Sequence, residues 1–198
     1  MHVEVKEHHR EYDGVFQLDR AVLRYEEFDG HLSDEVTRLV FERGDSVAVL
    51  LYDPDRDSVI LVNQFRYPVY VREKDNGWLL ETVAGQVDRN RMPEEVARAE
   101  LLEETGYVVG DLEHVTTFYG SPGACSERIH LYLASVSAMS RVGRGGGKPG
   151  ESEDIQVQEM PLDEALRLVR QGTIRDATTI IGLQHLALRS KVPEVEPA

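Results

Sequence analysis

The apolar positions of this chain fall mostly into short runs of the β type. Residues 16–43 read as two strands, Gln17 to Tyr25 and Val36 to Glu42, on either side of the turn Glu26-Glu27-Phe28-Asp29-Gly30. Ser46–Tyr52 (SVAVLLY) and Ser58–Phe65 (SVILVNQF) are richer in β-branched residues. The Asp53-Pro54-Asp55-Arg56-Asp57 between them supplies turn chemistry, so a hairpin is predicted. Trp78–Val83 is predicted as one further short strand that ends at Ala84-Gly85. Val115–Tyr119, Ile129–Val136 and Ile155–Met160 complete the strands.

One helix stands out, from Pro93 to Thr105. Pro93 suits the first helical position, Glu94 and Glu95 favour the positive end of the helix dipole, and Gly106 suits the stop. Two more helices are predicted, Leu162–Gln171 and Thr178–Ser190, and the tail 191–198 is predicted to fray. Arg144–Gly150 (RGGGKPG) reads as a flexible loop. Strands dominate, helices are interspersed and no repeat is visible, which gives an α/β or α+β class with a mixed sheet. The 198 residues suit one domain with an appended element.

Composition narrows the functions. With 22 Lys+Arg against 36 Asp+Glu, the net charge of −14 repels long polyanions, so a nucleic-acid module and an anionic membrane surface are both disfavoured. Cys125 is alone, which excludes an intrachain disulfide and a cysteine-based zinc site. The opening residues do not resemble a signal peptide. The longest apolar run, Val47–Tyr52, is far short of the ~20 residues that span a bilayer. A cytoplasmic protein is expected.

The acidic residues are not evenly spread. On the Pro93–Thr105 helix, Glu100, Glu103 and Glu104 stand at i, i+3 and i+4, hence on one face, beside Ala97 and Leu101. They are therefore expected to border the buried face. Three like charges within one turn destabilise a helix unless positive charge sits among them, and Mg²⁺ or Mn²⁺ with oxygen ligands would supply it. A solvated acidic face is the alternative.

The spacing around that helix carries more. Gly85 and the run Glu100-Leu101-Leu102-Glu103-Glu104-Thr105-Gly106-Tyr107 stand at the separations of the Nudix box, and the chain resembles the Nudix hydrolases. Arg91 stands where the box has its early Glu, and Ala99 where it has Arg, so a changed salt bridge through Arg91 or Arg98 is expected. Asn63-Gln64-Phe65-Arg66, Leu80-Glu81-Thr82-Val83-Ala84-Gly85, Ser121-Pro122-Gly123 with Ser126-Glu127, Glu151–Ile155 and Ile180–Gln184 resemble the branch of ADP-ribose and GDP-mannose pyrophosphatases. Pro122, fifteen residues beyond Tyr107, resembles the ADP-ribose-preferring group.

The resemblance implies a Nudix fold, a mixed sheet sandwiched between helices. Residues 1–43 would be an N-terminal antiparallel β-extension, 44–190 the Nudix domain. It implies hydrolysis of a nucleoside diphosphate sugar, ADP-ribose first and GDP-mannose second, with Mg²⁺ or Mn²⁺ as cofactor. Glu100, Glu104 and the Ala84 carbonyl would hold the metal, with Glu153 as base or late metal ligand and Glu103 in or near the metal shell. Arg66, Glu81, Gly85, Glu127 and Phe28 would meet the substrate. A homodimer is implied, with the N-terminal strands completing the partner's pocket. The reading of another class is a Nudix-fold sensor that binds ADP-ribose without cleaving it, favoured by Arg91 and Ala99 and opposed by the retained glutamates. His8 and His9 are read as surface residues, His130 as a satisfied core histidine, and Trp78 as a core residue at a strand start.

Overall fold

Apolar runs as unbroken as SVAVLLY arise where both faces of a strand are covered. The computed structural model describes residues 1–88, 90–148, 150 and 153–189. Its elements, in order, are β1 (Val3–Asp13), β2 (Gln17–Tyr25), β3 (Val36–Glu42), β4 (Ser46–Asp53), β5 (Ser58–Phe65) and α1 (Tyr67–Glu73). They continue with β6 (Trp78–Glu81), β7 (Val83–Gln86), α2 (Pro93–Thr105), β8 (Glu113–Tyr119), β9 (Arg128–Ser135), β10 (Ile155–Pro161), α3 (Leu162–Arg170) and α4 (Ala177–Arg189). The expected fraying at 191–198 and the end of the last helix at Ser190 lie outside the described residues. Among those described, no helix is long and apolar enough to cross a membrane.

The chain forms two compact units: Met1–Asp45 with Phe118–Arg128, and Ser46–Thr117 with the described part of Ile129–Ala198. In the first, β1, β2 and β3 make an antiparallel sheet in that order. The β2–β3 pair matches the expected strands and runs in register from Gln17↔Glu42 to Leu23↔Val36. Strand β1 was not expected. It pairs with β2 from Val3↔Tyr25 to Asp13↔Gln17, yet ten of its eleven residues are exposed and only Glu4 is half-buried. A strand with no buried face leaves no apolar alternation to read. Beyond β3, Phe41 N–H donates to the Ala124 carbonyl (2.7 Å), which ties the 118–128 segment to this sheet.

In the second unit the sheet order is β10-β5-β4-β9-β8, with β6 against β5 and β7 against β4. The expected hairpin forms, as β4 and β5 pair antiparallel through Leu51↔Ile60 and Asp53↔Ser58. The β4–β9 pair is parallel, so the sheet is mixed. Alternate residues of β4 face opposite sides: Val47, Val49 and Leu51 pack with Val96, Ala97 and Leu101 of α2, whereas Leu50 packs with Ala165, Leu183 and Leu186 of α3 and α4. Helices on both faces explain the continuous apolar runs.

Two local outcomes differ from the sequence reading. The single strand expected over Trp78–Val83 is two, β6 and β7, broken at Thr82. There the backbone N–H leaves the ladder and donates to Thr179 Oγ1 (2.8 Å), whose hydroxyl donates to Asp176 Oδ2 (2.7 Å). Helix α1 was not expected, since it is one short stretch of aromatic and β-branched residues with none buried. Trp78, expected in the core, is 42% exposed and meets Phe65 edge-to-face at 5.8 Å.

Thr179 is fully buried, and Thr179→Val would leave the Thr82 N–H and the Asp176 carboxylate short of a partner. Denaturant unfolding is expected to show a loss of about 1–3 kcal/mol. Unchanged stability would mean that this bridge does not hold the β6–β7 break.

Candidate functional site

The site grows from the break between β6 and β7. Glu81 ends β6 and is 8% exposed. Its Oε2 accepts from Arg66 Nε at 2.8 Å, and Arg66 lies just past β5, where it caps α1. Burial pushes the Glu81 carboxyl above the ordinary range, and the Arg66 guanidinium opposes the shift. Next, β7 runs antiparallel to β4 with Ala84 opposite Ala48 and Gly85 opposite Val47. A Cβ at Gly85 would collide with the carboxylate end of Glu100. Glycine is needed here because the helix side chain lies directly on the strand backbone.

Helix α2 follows the sequence reading residue for residue. Pro93 opens it, Glu95 Oε2 accepts from the Met92 N–H (2.8 Å), and Gly106 closes it in the left-handed conformation at φ 74°. Val96, Ala97 and Leu101 fix which face turns inward, and Glu104 goes in with them at 4% exposure. Glu100 and Glu103 are half-buried beside it, as expected from the apolar neighbours of the stripe.

The glycine run reaches the far end of the same helix. Gly146 N–H donates to the Glu104 carbonyl (2.8 Å) and Gly147 N–H to the Glu103 carbonyl (3.2 Å), satisfying carbonyls that a helix end leaves open. Gly145, Gly146 and Gly147 stand at φ 69°, 110° and 88°. The run expected to be a flexible loop is thus seated on α2, and glycine serves there by adopting left-handed backbone. A Cβ on Gly147 would come within 2.7 Å of Glu153 Oε2, so this loop brings Glu153 to the cluster. Lys148 follows, its Nζ 3.0 Å from Glu103 Oε2.

The electrostatics are those of crowded carboxylates. Burial first, then repulsion from Glu100 and Glu153, pushes Glu104 up to about 8, with Arg66 opposing. Burial and then the field of Glu103 raise Glu100, which Lys148 and Arg91 partly offset. Among the described residues, the Oε2 of Glu104 is buried with no hydrogen-bond partner. A buried oxygen without a partner, among carboxylates that repel one another, fits a hard divalent cation. Among the described residues, no group of three or more His, Cys, Asp or Glu side chains is already arranged to hold a metal ion.

Arg66, Glu81, Ala84, Gly85, Glu100, Glu103, Glu104 and Glu153 therefore all belong to the second unit and come together there. Glu127 and Phe28 belong to the first unit. Glu127 lies 3.5 Å from Arg43, and Phe28 is fully exposed in its turn. Glu151 and Ser152, quoted with Glu153, lie outside the described residues. Among the described residues, neither arginine expected to replace the box salt bridge bonds to the glutamates of α2. Arg91 pairs with Asp88 at 2.6 Å and reaches Glu100 only through its field. Arg98 donates to the Val109 carbonyl (2.8 Å) and so turns from the glutamates. His130, expected in the core, is half-buried and its Nδ1 shares a hydrogen bond with Thr117 Oγ1 (3.1 Å). Sequence reasoning missed Lys148 and the Asp176–Thr179 pair. Lys148 sat unremarked in a glycine-rich run, and nothing local marks a bond made across 97 residues.

A NUDIX domain model matches residues 42–180. This chain is a member of the Nudix family. A protein of Cronobacter sakazakii named GDP-mannose pyrophosphatase is 48% identical over 152 residues, covering 77% of this chain and 78% of its own. One of the same name from Pectobacterium atrosepticum is 41% identical over 177 residues, covering 89% and 90%. The crystal structure of an ADP compounds hydrolase superposes with a TM-score of 0.72 over 96% of both chains at 17% identity, which establishes the shared Nudix fold.

The raised Glu104 contributes a pH dependence to the metal-free protein. The folded chain holds a proton up to pH about 8 that the unfolded chain releases near 4.5. Folding stability therefore falls as pH rises from 4.5 to 8. In EDTA, Glu104→Gln is expected to melt above the wild type at pH 8, the difference shrinking towards pH 4.5. A variant that melts lower at pH 8 would contradict the buried, crowded carboxyl.

Proposed function

We propose that this Nudix protein hydrolyses the pyrophosphate bond of a nucleoside diphosphate sugar, yielding a nucleoside monophosphate and a sugar phosphate. The observation that carries the reading is the partnerless buried oxygen of Glu104 beside Glu100 and Glu153, on the helix that bears the Nudix spacing. Glu100, Glu104 and the Ala84 carbonyl are the residues to hold a divalent ion, Mg²⁺ or Mn²⁺, with Glu153 as a late ligand. Such an ion supplies positive charge to the pyrophosphate oxygens and lowers the pKa of water.

The chain's own residues do the rest. Glu153, carried by the seated glycine loop, takes the proton from water as its oxygen attacks phosphorus and the bond from phosphorus to the bridging oxygen breaks. Glu103 flanks the cluster and helps order it. Arg66 spends its Nε on Glu81, which leaves its terminal N–H groups for a phosphate. Glu81 holds that guanidinium in place and lines the cleft. Gly85 lets Glu100 lie against the strand. Glu127 and Phe28 are proposed as outer substrate contacts.

Among substrates, the relatives named GDP-mannose pyrophosphatase support GDP-mannose, and the position of Pro122 supports ADP-ribose. We further propose a cytoplasmic homodimer in which residues 1–43 serve association and the partner's pocket, with 44–190 as the catalytic domain. The second reading, a sensor that binds without cleaving, is favoured by Arg91 and Ala99 in the box.

Incubation with GDP-mannose and with ADP-ribose is expected to release GMP or AMP with Mg²⁺ and nothing in EDTA. Glu153→Gln and Glu104→Gln are each expected to lower turnover by about 10²–10⁴-fold. Binding of both nucleotides without product would sink the hydrolase and leave the sensor.

A further inference from the structure

The carboxylate cluster holds a positive charge of its own. Lys148 Nζ lies 3.0 Å from Glu103 Oε2, in a pair whose carboxylate side chain is 16% exposed and whose lysine is 52% exposed. The lysine comes there by construction. The residue before it, Gly147, donates its N–H to the Glu103 carbonyl, and Gly146 donates to the Glu104 carbonyl. The backbone on which α2 ends is therefore the backbone that delivers the ammonium group. Among the described residues, three arginines around the cluster are directed elsewhere: Arg66 to Glu81, Arg91 to Asp88, and Arg98 to a backbone carbonyl. The field of Lys148 also reaches Glu100, where it offsets part of the repulsion from Glu103.

We propose that Lys148 is an internal counter-ion of the metal-free protein that competes with the divalent ion for the carboxylate cluster. This rests on the reading of Glu100 and Glu104 as cation ligands. An ammonium group bonded to Glu103 occupies one carboxylate and adds a like charge close to an incoming cation, so both effects weaken metal affinity. A lysine suits such a role better than an arginine. Its point charge on a flexible stem can leave without breaking a bidentate fork, and a pair whose ammonium end is half exposed to water is weak enough to exchange. When the ion binds, Lys148 gives up Glu103 and turns out from the cluster, while the glycine backbone can stay seated. The lysine thus sets the metal concentration at which the site fills and limits the charge repulsion the empty site must bear.

The test is titration of the full chain with Mn²⁺ alone by calorimetry, at fixed pH and ionic strength, for wild type, Lys148→Met and Lys148→Arg. Melting in EDTA is recorded alongside. Lys148→Met is expected to bind Mn²⁺ about three- to tenfold more tightly than wild type and to melt lower in EDTA. Lys148→Arg is expected to stay within about twofold of wild type, because it keeps the charge. Equal or weaker Mn²⁺ binding by Lys148→Met, with wild type binding normally, would overturn the counter-ion role and leave the metal site standing. A wild type that binds no Mn²⁺ would overturn the metal site itself, and the competition with it.

Discussion

Carboxylates gathered at the end of a helix and partly withdrawn from water repel one another, and that repulsion governs the site. Glu104 is almost fully buried beside Glu100, Glu103 and Glu153, and its carboxyl is pushed up to about 8. Three sources of relief exist for such a cluster: a bound proton, a lysine, or a divalent ion. The raised Glu104 carboxyl favours the first, and Lys148 beside Glu103 is placed for the second. The proposed chemistry needs the third, because a pyrophosphate adds more negative charge to the same place.

The scaffold holds that cluster together against its own repulsion. A sheet covered on both faces fixes β4, and β4 fixes β7 by antiparallel pairing. Gly85 then lets Glu100 lie on the strand, while Leu101 and Ala97 anchor the inward face of α2. At the other end the left-handed glycines cap the Glu103 and Glu104 carbonyls and bring Glu153 and Lys148 alongside. The bridge from Thr82 to Thr179 and Asp176 breaks the strand, so that Glu81 and Arg66 sit on one side of the break and Ala84 and Gly85 on the other. Each device is local. Their convergence comes from the sheet.

Much of this was legible in the residues. Strong β-branched runs and turn chemistry marked β4 and β5, and the proline, acidic and glycine signals bounded α2 at its true ends. The stripe of Glu100, Glu103 and Glu104 followed from helical spacing, and its position beside the buried face followed from Ala97 and Leu101. What stayed hidden had no apolar pattern or no local cause. Strand β1 buries no face and α1 buries no residue, so neither leaves hydrophobic periodicity. The break at Thr82 is made by Thr179, which no window around Thr82 contains. Glycines 145–147 read as looseness because composition does not reveal the helix end on which they sit, and Lys148 was overlooked with them. Arg91 and Arg98 looked able to replace a missing salt bridge, but nearer partners hold them, Asp88 in one case and a backbone carbonyl in the other.

The central claim is that the folded chain carries a cation site whose negative charge is in excess until it is filled. Thermal unfolding at pH 8, with Mn²⁺ and with EDTA, measures this most directly. With Mn²⁺ at about 100 times its dissociation constant, linkage gives about 2.7 kcal/mol of added stability, or a melting point raised by about 5–10 °C. The same melting point with and without the ion would contradict the account.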